Sequence, residues 1–171
     1  MAKTRPNLVL IGMPGAGKST VGVLLAKWTA RYFVDTDVLI QTSQGRPLQA
    51  IVDTDGYVML RKIEEDILLG LSVRNSVIAT GGSAVHSDPA MAHLRTRGIL
   101  VFLDASLATL ESRIGDFSTR GVSLRPGQSF SELLDERHAL YIKHADITIT
   151  CDGMTHEQVC KSIVDKVTKS G

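Results

Sequence analysis

A glycine-rich segment close to the N-terminus limits the folds that this chain can adopt. Residues 12–19 read GMPGAGKS, which matches the phosphate-loop pattern G-x-x-x-x-G-K-[ST] at every fixed position. The apolar run from Leu8 to Ile11 favours a buried strand, and the segment from Thr20 to Arg31 favours a helix. A strand, a glycine-rich turn and a helix in this order predict a nucleotide-binding α/β protein.

The chemistry of such a loop predicts what its residues contact. Its backbone N–H groups would converge on phosphate oxygens, and the following helix would add its positive dipole end. Lys18 would reach the β- and γ-phosphates, and the Ser19 hydroxyl would ligate Mg²⁺. An ordinary glycine-rich turn is the alternative. The predicted nucleotide-contacting residues of this segment are Gly12, Gly15, Ala16, Gly17, Lys18, Ser19 and Thr20.

Composition excludes several other classes of function. The chain has 171 residues, of which 43% are hydrophobic and 22% charged, as in a single globular domain. A net charge of +1 provides no basic field for nucleic acid, and no apolar run approaches the roughly 20 residues of a membrane span. Cys151 and Cys160 show neither metal-ligand spacing nor a disulfide framework. We therefore expect a cytoplasmic, monomeric enzyme or binding domain that contacts neither nucleic acid nor membrane.

Short apolar runs alternate with helical patterns along the rest of the chain. The runs show little polar alternation, which is typical of parallel strands covered on both faces. Alternating strands and helices predict a parallel sheet in an α/β sandwich, and we expect Trp28 to pack in its core. The predicted strands are Leu8–Ile11, Tyr32–Val34, Val77–Ala79, Ile99–Leu103 and Ile147–Thr150. The predicted helices are Lys18–Arg31, a stretch within Asp55–Ser72, Pro89–Arg97, Ser106–Ile114, Ser131–Lys143 and Thr155–Lys169.

Further candidate residues follow the predicted strands, where ligands of open α/β sheets bind. Asp35 and Asp37 follow the second strand and share one face if strand geometry continues. Beside Mg·ATP, one carboxylate can help hold the metal, and the other can accept or orient the proton of an attacking hydroxyl. Helix capping is the alternative for Asp37. Gly81 and Gly82 follow the third strand as a simple turn or as a place where substrate approaches the backbone.

Three arginines on predicted helices are candidates for binding substrate or nucleotide. Arg61 and Arg137 could bind a carboxylate in bidentate fashion, although both also fit a solvated helix face with ion pairs. Arg113 could stack on an adenine or complement the dipole at the end of its helix. The residue type alone leaves both interpretations open.

The segment 115–128 fits no regular element and contains two more arginines, Arg120 and Arg125. A basic segment between two helices could close over phosphates as a lid, or it could be a plain surface loop. The phosphate loop favours the lid.

In their order and spacing these motifs resemble the shikimate kinase family of small phosphate-loop kinases. The resemblance covers nearly the whole chain. The matching segments are the phosphate loop, Asp35-Thr36-Asp37, Arg61 to Asp66, Gly81 to Val85, Arg120, Arg137 to Tyr141 and Ala145-Asp146. It implies one phosphate-loop kinase domain over residues 1–171, a three-layer α/β/α sandwich with a five-stranded parallel sheet. It also implies a substrate-binding helical region at about 35–65 and a lid at about 115–128.

The resemblance implies ATP-dependent phosphorylation of a hydroxyl of a small carboxylate, shikimate to shikimate 3-phosphate, in aromatic amino acid biosynthesis. The implied cofactors are ATP and Mg²⁺. The implied catalytic residues are Lys18, Asp37 as the candidate base, and Arg120, which closes over the phosphates in preference to its rival Arg125. The implied metal ligands are Ser19 and, through water, Asp35. The implied substrate-binding residues are Asp37, Arg61, Gly81, Gly82 and Arg137, while Arg113 lies against the adenine.

Five sites depart from the residues usual in that family. Leu60 stands for phenylalanine, Val52 for an aromatic residue, and Gly121-Val122 for the Pro-Leu after the lid arginine. Ser83 replaces the third glycine of a triplet, and Gln41 replaces a glutamate. The first three sites are expected to wall the substrate ring, so the pocket is expected to be wider or reshaped. A kinase for another hydroxy acid, such as homoserine or gluconate, therefore remains an alternative, as does a catalytically silent nucleotide-binding protein.

Overall fold

One sheet of five parallel strands organises residues 6–115 and 120–170, which the computed structural model describes. In chain order the strands are β1 (Asn7–Ile11), β2 (Tyr32–Asp35), β3 (Ser76–Ala79), β4 (Gly98–Asp104) and β5 (Ile147–Thr150). Each predicted strand is confirmed, with ends that differ by no more than one residue. The flanking residues extend the strands because they continue the ladder hydrogen bonds beyond the apolar run.

The strands lie in the order β2-β3-β1-β4-β5, so β1 is central. Val9 of β1 is in register with Ile78 of β3 on one side and with Leu100 of β4 on the other. After β1 the chain builds β2 and β3 on one side, and it then crosses to build β4 and β5 on the other. A crevice for ligands is expected where the direction changes, beyond the carboxyl end of β1. The segment 12–19 begins at that point.

Eight α-helices are found within the described residues. They are α1 (Lys18–Thr29), α2 (Thr36–Gln44), α3 (Leu48–Asp55), α4 (Tyr57–Leu69), α5 (Asp88–Arg95), α6 (Leu107–Ile114), α7 (Phe130–His144) and α8 (His156–Lys169). A short 3₁₀ turn spans Ala84–His86. Helix α1 packs against α8 and β3, while α5 and α7 pack against β4. The result is the predicted three-layer α/β/α sandwich. Among the described helices none combines the length and apolarity needed to cross a bilayer.

Helices α2, α3 and α4 pack on one another, and α4 also packs against α5 and the 3₁₀ turn. Gly45 ends α2 with φ +65°, and Gly56 separates α3 from α4 with φ +86°. A second hydrophobic core joins these helices through the buried Ile40, Ile51 and Leu60. This core lies apart from the main one on the sheet. The periodicity of the sequence did not resolve α2 and α3, because two short helices with glycine breaks leave only about two turns each to read.

The expectation that Trp28 packs in the core is wrong. Its side chain is 50% exposed, and it falls in the last turn of α1, whose buried residues end with Ala26. The tryptophan lies beyond the part of the helix that the neighbouring elements cover.

Candidate active site

The phosphate loop joins β1 to α1 in the middle of the carboxyl edge of the sheet. Gly15 and Gly17 have φ angles of +85° and +94°, which residues with side chains rarely adopt. Gly17 is the N-terminal cap of α1, and among the described residues no side chain accepts a hydrogen bond from the first N–H groups of that helix. Those donors and the positive dipole end are therefore left for an anion.

Lys18 is buried within its own loop. Its Nζ donates to the carbonyl oxygens of Gly12 at 2.6 Å and of Met13 at 2.8 Å. Burial lowers the pKa of Lys18 to about 8, and the nearby Asp37 carboxylate opposes the change. The predicted contact with the β- and γ-phosphates requires Lys18 to exchange these two carbonyls for phosphate oxygens.

The predicted metal ligands Ser19 and Asp35 are in direct contact. The Ser19 hydroxyl donates to Asp35 Oδ2 at 2.6 Å. Asp35 Oδ1 accepts from the backbone N–H groups of Asp37 at 2.9 Å and Val38 at 3.4 Å, so Asp35 caps α2. Capping was the alternative interpretation of Asp37, and the structure gives that task to Asp35. The Asp37 carboxylate is thereby left for another role.

Asp37 is half-buried and faces a fully buried carboxylate, Glu64, across Gly81. A Cβ added to Gly81 would overlap Glu64 Oε1 and would lie 2.8 Å from Asp37 Oδ1. A side chain at position 81 would displace both carboxylates, and the glycine leaves the backbone open to this pocket. Burial raises the pKa of Asp37, while Lys18 opposes the rise. The carbonyl of the next residue, Gly82, accepts from the Tyr141 hydroxyl at 2.7 Å, which fixes this turn.

The sequence prediction assigned no role to Glu64. Its side chain is only 3% exposed, Oε2 accepts from the Ser83 hydroxyl, and Oε1 has no hydrogen-bond partner among the described residues. Burial raises its pKa to about 7, and the charge of Asp37 adds to the rise. The spacing Leu60, Glu64, Leu68 was the available signal, because i, i+4 and i+8 lie on one face of α4 and the other two are buried.

The structure brings Arg61 and Arg137 to the same serine, Ser123. Arg137 is 1% exposed and donates from Nη2 to Ser123 Oγ at 2.9 Å. Arg61 donates from Nε to the same oxygen at 3.3 Å and from Nη2 to the Ser123 carbonyl at 3.4 Å. No ion pair to either arginine is found among the described carboxylates. The surface ion pairs that offered the alternative interpretation are therefore not what these arginines make.

Two histidines that received no role from the sequence lie at the site. Arg137 Nε donates to His86 Nε2 at 3.3 Å. Burial lowers the pKa of His86 to about 4, with help from Arg61 and Arg137, so the ring is neutral and can accept this bond. His156 lies against the phosphate loop, with Nε2 3.2 Å from where a Cβ of Gly17 would be. Neither contact has a sequence signal, because each joins residues far apart in the chain.

Arg113 and Arg120 lie on the outer side of the phosphate loop. Arg113 Nη1 donates to the carbonyl oxygens of Gly15 at 3.3 Å and Ala16 at 3.4 Å. Arg120 Nη2 lies 3.5 Å from the Arg113 carbonyl. The rival Arg125 pairs with Glu136 at 3.1 Å instead. Residues 116–119 of the predicted lid lie outside the described residues.

Two adjoining pockets meet at these residues. One is lined by Arg137, Ser123, Glu64 and residues 81–83. The other is lined by phosphate-loop residues, Ser19, Thr20, Arg113 and His156. The residues that line both are Pro14, Lys18, Asp37 and Arg120.

Arg61 is placed differently from the other predicted substrate-binding residues. It lines neither of these two pockets but a neighbouring cleft that it shares with Glu64, Ser83 and His86. Ser123 therefore stands between Arg61 and the pocket that contains Arg137.

Comparisons with known proteins agree with this geometry. The family model described as shikimate kinase matches residues 14–168. Shikimate kinase 2 of Enterobacter sp. (strain 638) is 37% identical over 166 residues, with 94% of each chain covered. Shikimate kinase of Thermodesulfovibrio yellowstonii is 36% identical over 161 residues, with 92% of each covered.

Solved structures point the same way. Shikimate kinase from Acinetobacter baumannii in complex with shikimate has a TM-score of 0.90 at 32% identity, covering 98% of this chain and 96% of that one. The enzyme from Aquifex aeolicus has a TM-score of 0.82 at 32% identity, covering 96% of this chain and 97% of that one. Sheet order, loop geometry and full-length matches agree with the resemblance in the motifs, and the chain belongs to the shikimate kinase family.

Proposed function

We propose that this chain transfers the γ-phosphoryl group of ATP to the 3-hydroxyl of shikimate, which yields shikimate 3-phosphate and ADP. One observation carries the proposal: a pocket at the phosphate loop and a pocket at Arg137 share Lys18, Asp37 and Arg120. A nucleotide in the first and a carboxylate in the second would meet at these shared residues. Bringing donor and acceptor together in this way supplies much of the catalysis of phosphoryl transfer.

On the donor side, the free N–H groups at the start of α1 would bind phosphate oxygens. Lys18 would exchange its two loop carbonyls for the β- and γ-phosphates, and Arg120 would close over them from the segment that follows α6. Arg113, held to the carbonyls of Gly15 and Ala16, would lie against the adenine.

The contact between Ser19 and Asp35 fits a magnesium site. Both offer oxygen ligands, which Mg²⁺ prefers, and Mg²⁺ usually keeps waters and phosphate oxygens as its other ligands. Among the described residues no group of three His, Cys, Asp or Glu side chains could hold a metal, so a site built on two protein oxygens and the nucleotide is the arrangement available. Ser19 would hold Mg²⁺ directly and Asp35 through water. The ion would neutralise charge on the phosphate oxygens.

On the acceptor side, Arg137 would bind the substrate carboxylate beside the backbone of Gly81 and Gly82, with Arg61 behind it. Asp37 would orient the attacking hydroxyl and accept its proton. Burial suits Asp37 to this task, because it raises the pKa of the carboxyl and so makes the carboxylate a stronger base. The charge of Lys18 opposes this rise in pKa and so favours the ionised form of Asp37.

The two alternative functions are not favoured. Relatives that match over nearly their full length are shikimate kinases, and none of the departures removes a predicted phosphate or carboxylate ligand. We further propose that residues 1–171 form one kinase domain, with the acceptor region at 35–65 and a lid at 115–128. We propose that it acts in the cytoplasm as a monomer.

A coupled assay of ADP release with shikimate, ATP and Mg²⁺ tests the proposed function. Lys18→Ala should lower kcat by about a hundredfold to a thousandfold, because it removes a cation from the developing charge. Lys27→Ala, which removes an exposed lysine from the same helix, should leave kcat unchanged. Wild-type turnover no faster than that of Lys18→Ala would refute the proposal. Preferential turnover of homoserine or gluconate would favour the alternative acceptor.

A further inference from the structure

We propose that Ser123 is a specificity-determining residue of the carboxylate site, where its hydroxyl donates to the acceptor's carboxylate alongside Arg137. The inference deepens the proposed function and rests on it. It assigns a substrate contact to a residue between two arginines that form no ion pair with any described carboxylate.

The hydrogen bonds at Ser123 leave its hydroxyl proton available. A serine hydroxyl can accept two hydrogen bonds and donate one. Arg137 Nη2 at 2.9 Å and Arg61 Nε at 3.3 Å fill the two accepting positions. No bond in which the Ser123 hydroxyl donates is found among residues 6–115 and 120–170. The O–H is therefore the one unfilled hydrogen-bonding capacity of the group, and an acceptor atom in the pocket would fill it.

The positive charge around Ser123 favours binding of an anion. Its side chain is 3% exposed and lines the same pocket as Arg137. Two guanidinium groups converge on one neutral oxygen, and the described carboxylates form no ion pair with either. The pKa of Arg61 is lowered by burial and by the charge of Arg137, while Glu136 opposes the change, so the two guanidinium groups repel each other across Ser123. A carboxylate in the pocket would relieve that repulsion.

Arg61 acts on the pocket through Ser123. Because Arg61 lines a neighbouring cleft, its link to the acceptor pocket is its hydrogen bonding to Ser123, which forms part of the pocket wall. A hydroxyl that accepts from a cation is polarised and becomes a stronger donor. Ser123 would in this way pass the charge of Arg61 to the substrate as a hydrogen bond, which selects a carboxylate over a neutral group of the same shape.

The position of Ser123 in the chain adds a link to the phosphates. It lies three residues after Arg120, and the intervening Gly121 donates its N–H to Gln49 Oε1 on α3 at 2.8 Å. A carboxylate bound to Ser123 would hold the segment 120–123 at the place where Arg120 reaches the nucleotide pocket.

The inference is tested by measuring the binding and turnover of shikimate and of its carboxamide analogue by wild type and Ser123→Ala. A hydrogen bond to a charged group contributes enough that its loss should raise the Kd and KM for shikimate about tenfold or more. The carboxamide should lose much less, so the preference for the acid should fall at least about fivefold. The KM for ATP should change less than about twofold, because the nucleotide pocket does not include Ser123.

Two controls separate this role from a structural one. Ser72→Ala, which removes an exposed hydroxyl remote from the pockets, should match the wild type. Thermal unfolding and binding of an ATP analogue check that Ser123→Ala is folded, and Ser123→Gly removes the same hydroxyl if the alanine variant is not.

Three results overturn the inference. They are an unchanged Kd for shikimate, an equal loss for acid and carboxamide, and tighter binding by the variant, which would mean that the serine competes with the carboxylate. A wild type that does not phosphorylate shikimate refutes the proposed function instead, and the two failures are distinct.

Discussion

Replacement of Glu64 by glutamine should stabilise the folded protein, and the gain should depend on pH. Glu64 is buried, Oε2 accepts from Ser83, and Oε1 has no hydrogen-bond partner among the described residues. Burial raises its pKa from the ordinary 4.5 to about 7, and Asp37 adds to the rise. Glutamine has the shape of the protonated acid and carries no charge, so Glu64→Gln removes the cost of ionising this group in the interior.

The sign and size of the difference in unfolding free energy between the wild type and Glu64→Gln follow from proton linkage. Below pH 4.5 the carboxyl is protonated in both states and contributes no difference. Between about 4.5 and 7 the unfolded chain loses this proton first, so the stability of the wild type falls as pH rises. The full difference between these pKa values corresponds to about 3 kcal/mol above pH 7. Glu64→Gln should therefore be more stable than the wild type by about 1 kcal/mol at pH 5 and about 3 kcal/mol at pH 7.5.

Urea denaturation of both proteins across pH 5–7.5 measures this difference. The charge of Glu64 raises the pKa of Lys18, which is about 8, so Lys18 also titrates near the top of this range and the change between pH 5 and pH 7 carries the comparison. Glu111→Gln is the matched control, since it removes an exposed carboxylate from α6. A gain in stability that is the same at pH 5 and pH 7.5 would show that Glu64 titrates normally. Lower stability of Glu64→Gln at pH 7.5 would show that Arg137 and Lys18 compensate the buried charge.

Three further substitutions probe the reaction and the lid. In steady-state kinetics, Asp37→Asn should lower kcat about a hundredfold or more, with little change in the KM for ATP. A kcat equal to that of the wild type would show that Asp37 is not the base. Arg137→Lys should raise the KM for shikimate about tenfold, because an ammonium cannot replace the planar guanidinium; an unchanged KM would exclude a carboxylate contact. Gly121→Ala should weaken shikimate binding in calorimetry, because φ is +63° and the new Cβ would overlap Leu48; wild-type affinity would show that the segment can move aside.

Local patterns predicted the sheet and the phosphate loop from the sequence. The inner strands β1 and β3 are short apolar runs that are buried along their whole length, so their residues carry the signal themselves. The loop is equally local, because positive φ angles at Gly15 and Gly17 demand glycine at those positions. The prediction that Trp28 packs in the core was wrong for a different reason. A large apolar residue predicts burial only if a neighbouring element covers it, and that depends on packing rather than on residue type.

The residues that line the pockets were harder to predict, because their positions depend on contacts between segments that are distant in the chain. Arg61 and Ser123 lie 62 positions apart, and Arg137 and His86 lie 51 apart. The side-chain chemistry of arginine suggested the two carboxylate ligands, but nothing in the sequence indicated that both donate to one serine. The burial of Glu64 could have been predicted, since helical spacing places it on the buried face of α4. Its contact with Ser83 required the fold.

Three of the five departures from the family's usual residues line the acceptor pocket: Leu60, Ser83 and Gly121-Val122. Leu60 packs with Ile40 and Ile51 in the second core and still lines the acceptor pocket, so that wall remains apolar without an aromatic ring. Gly121 lacks a side chain, and this lets Leu48 approach its backbone and form part of the same wall with Val122. Val52 packs against the second core and is not among the residues that line the pocket. The loss of aromatic residues therefore changes the apolar wall of the pocket but leaves Asp37, Ser123 and Arg137 in its lining, so we expect shikimate to remain the acceptor.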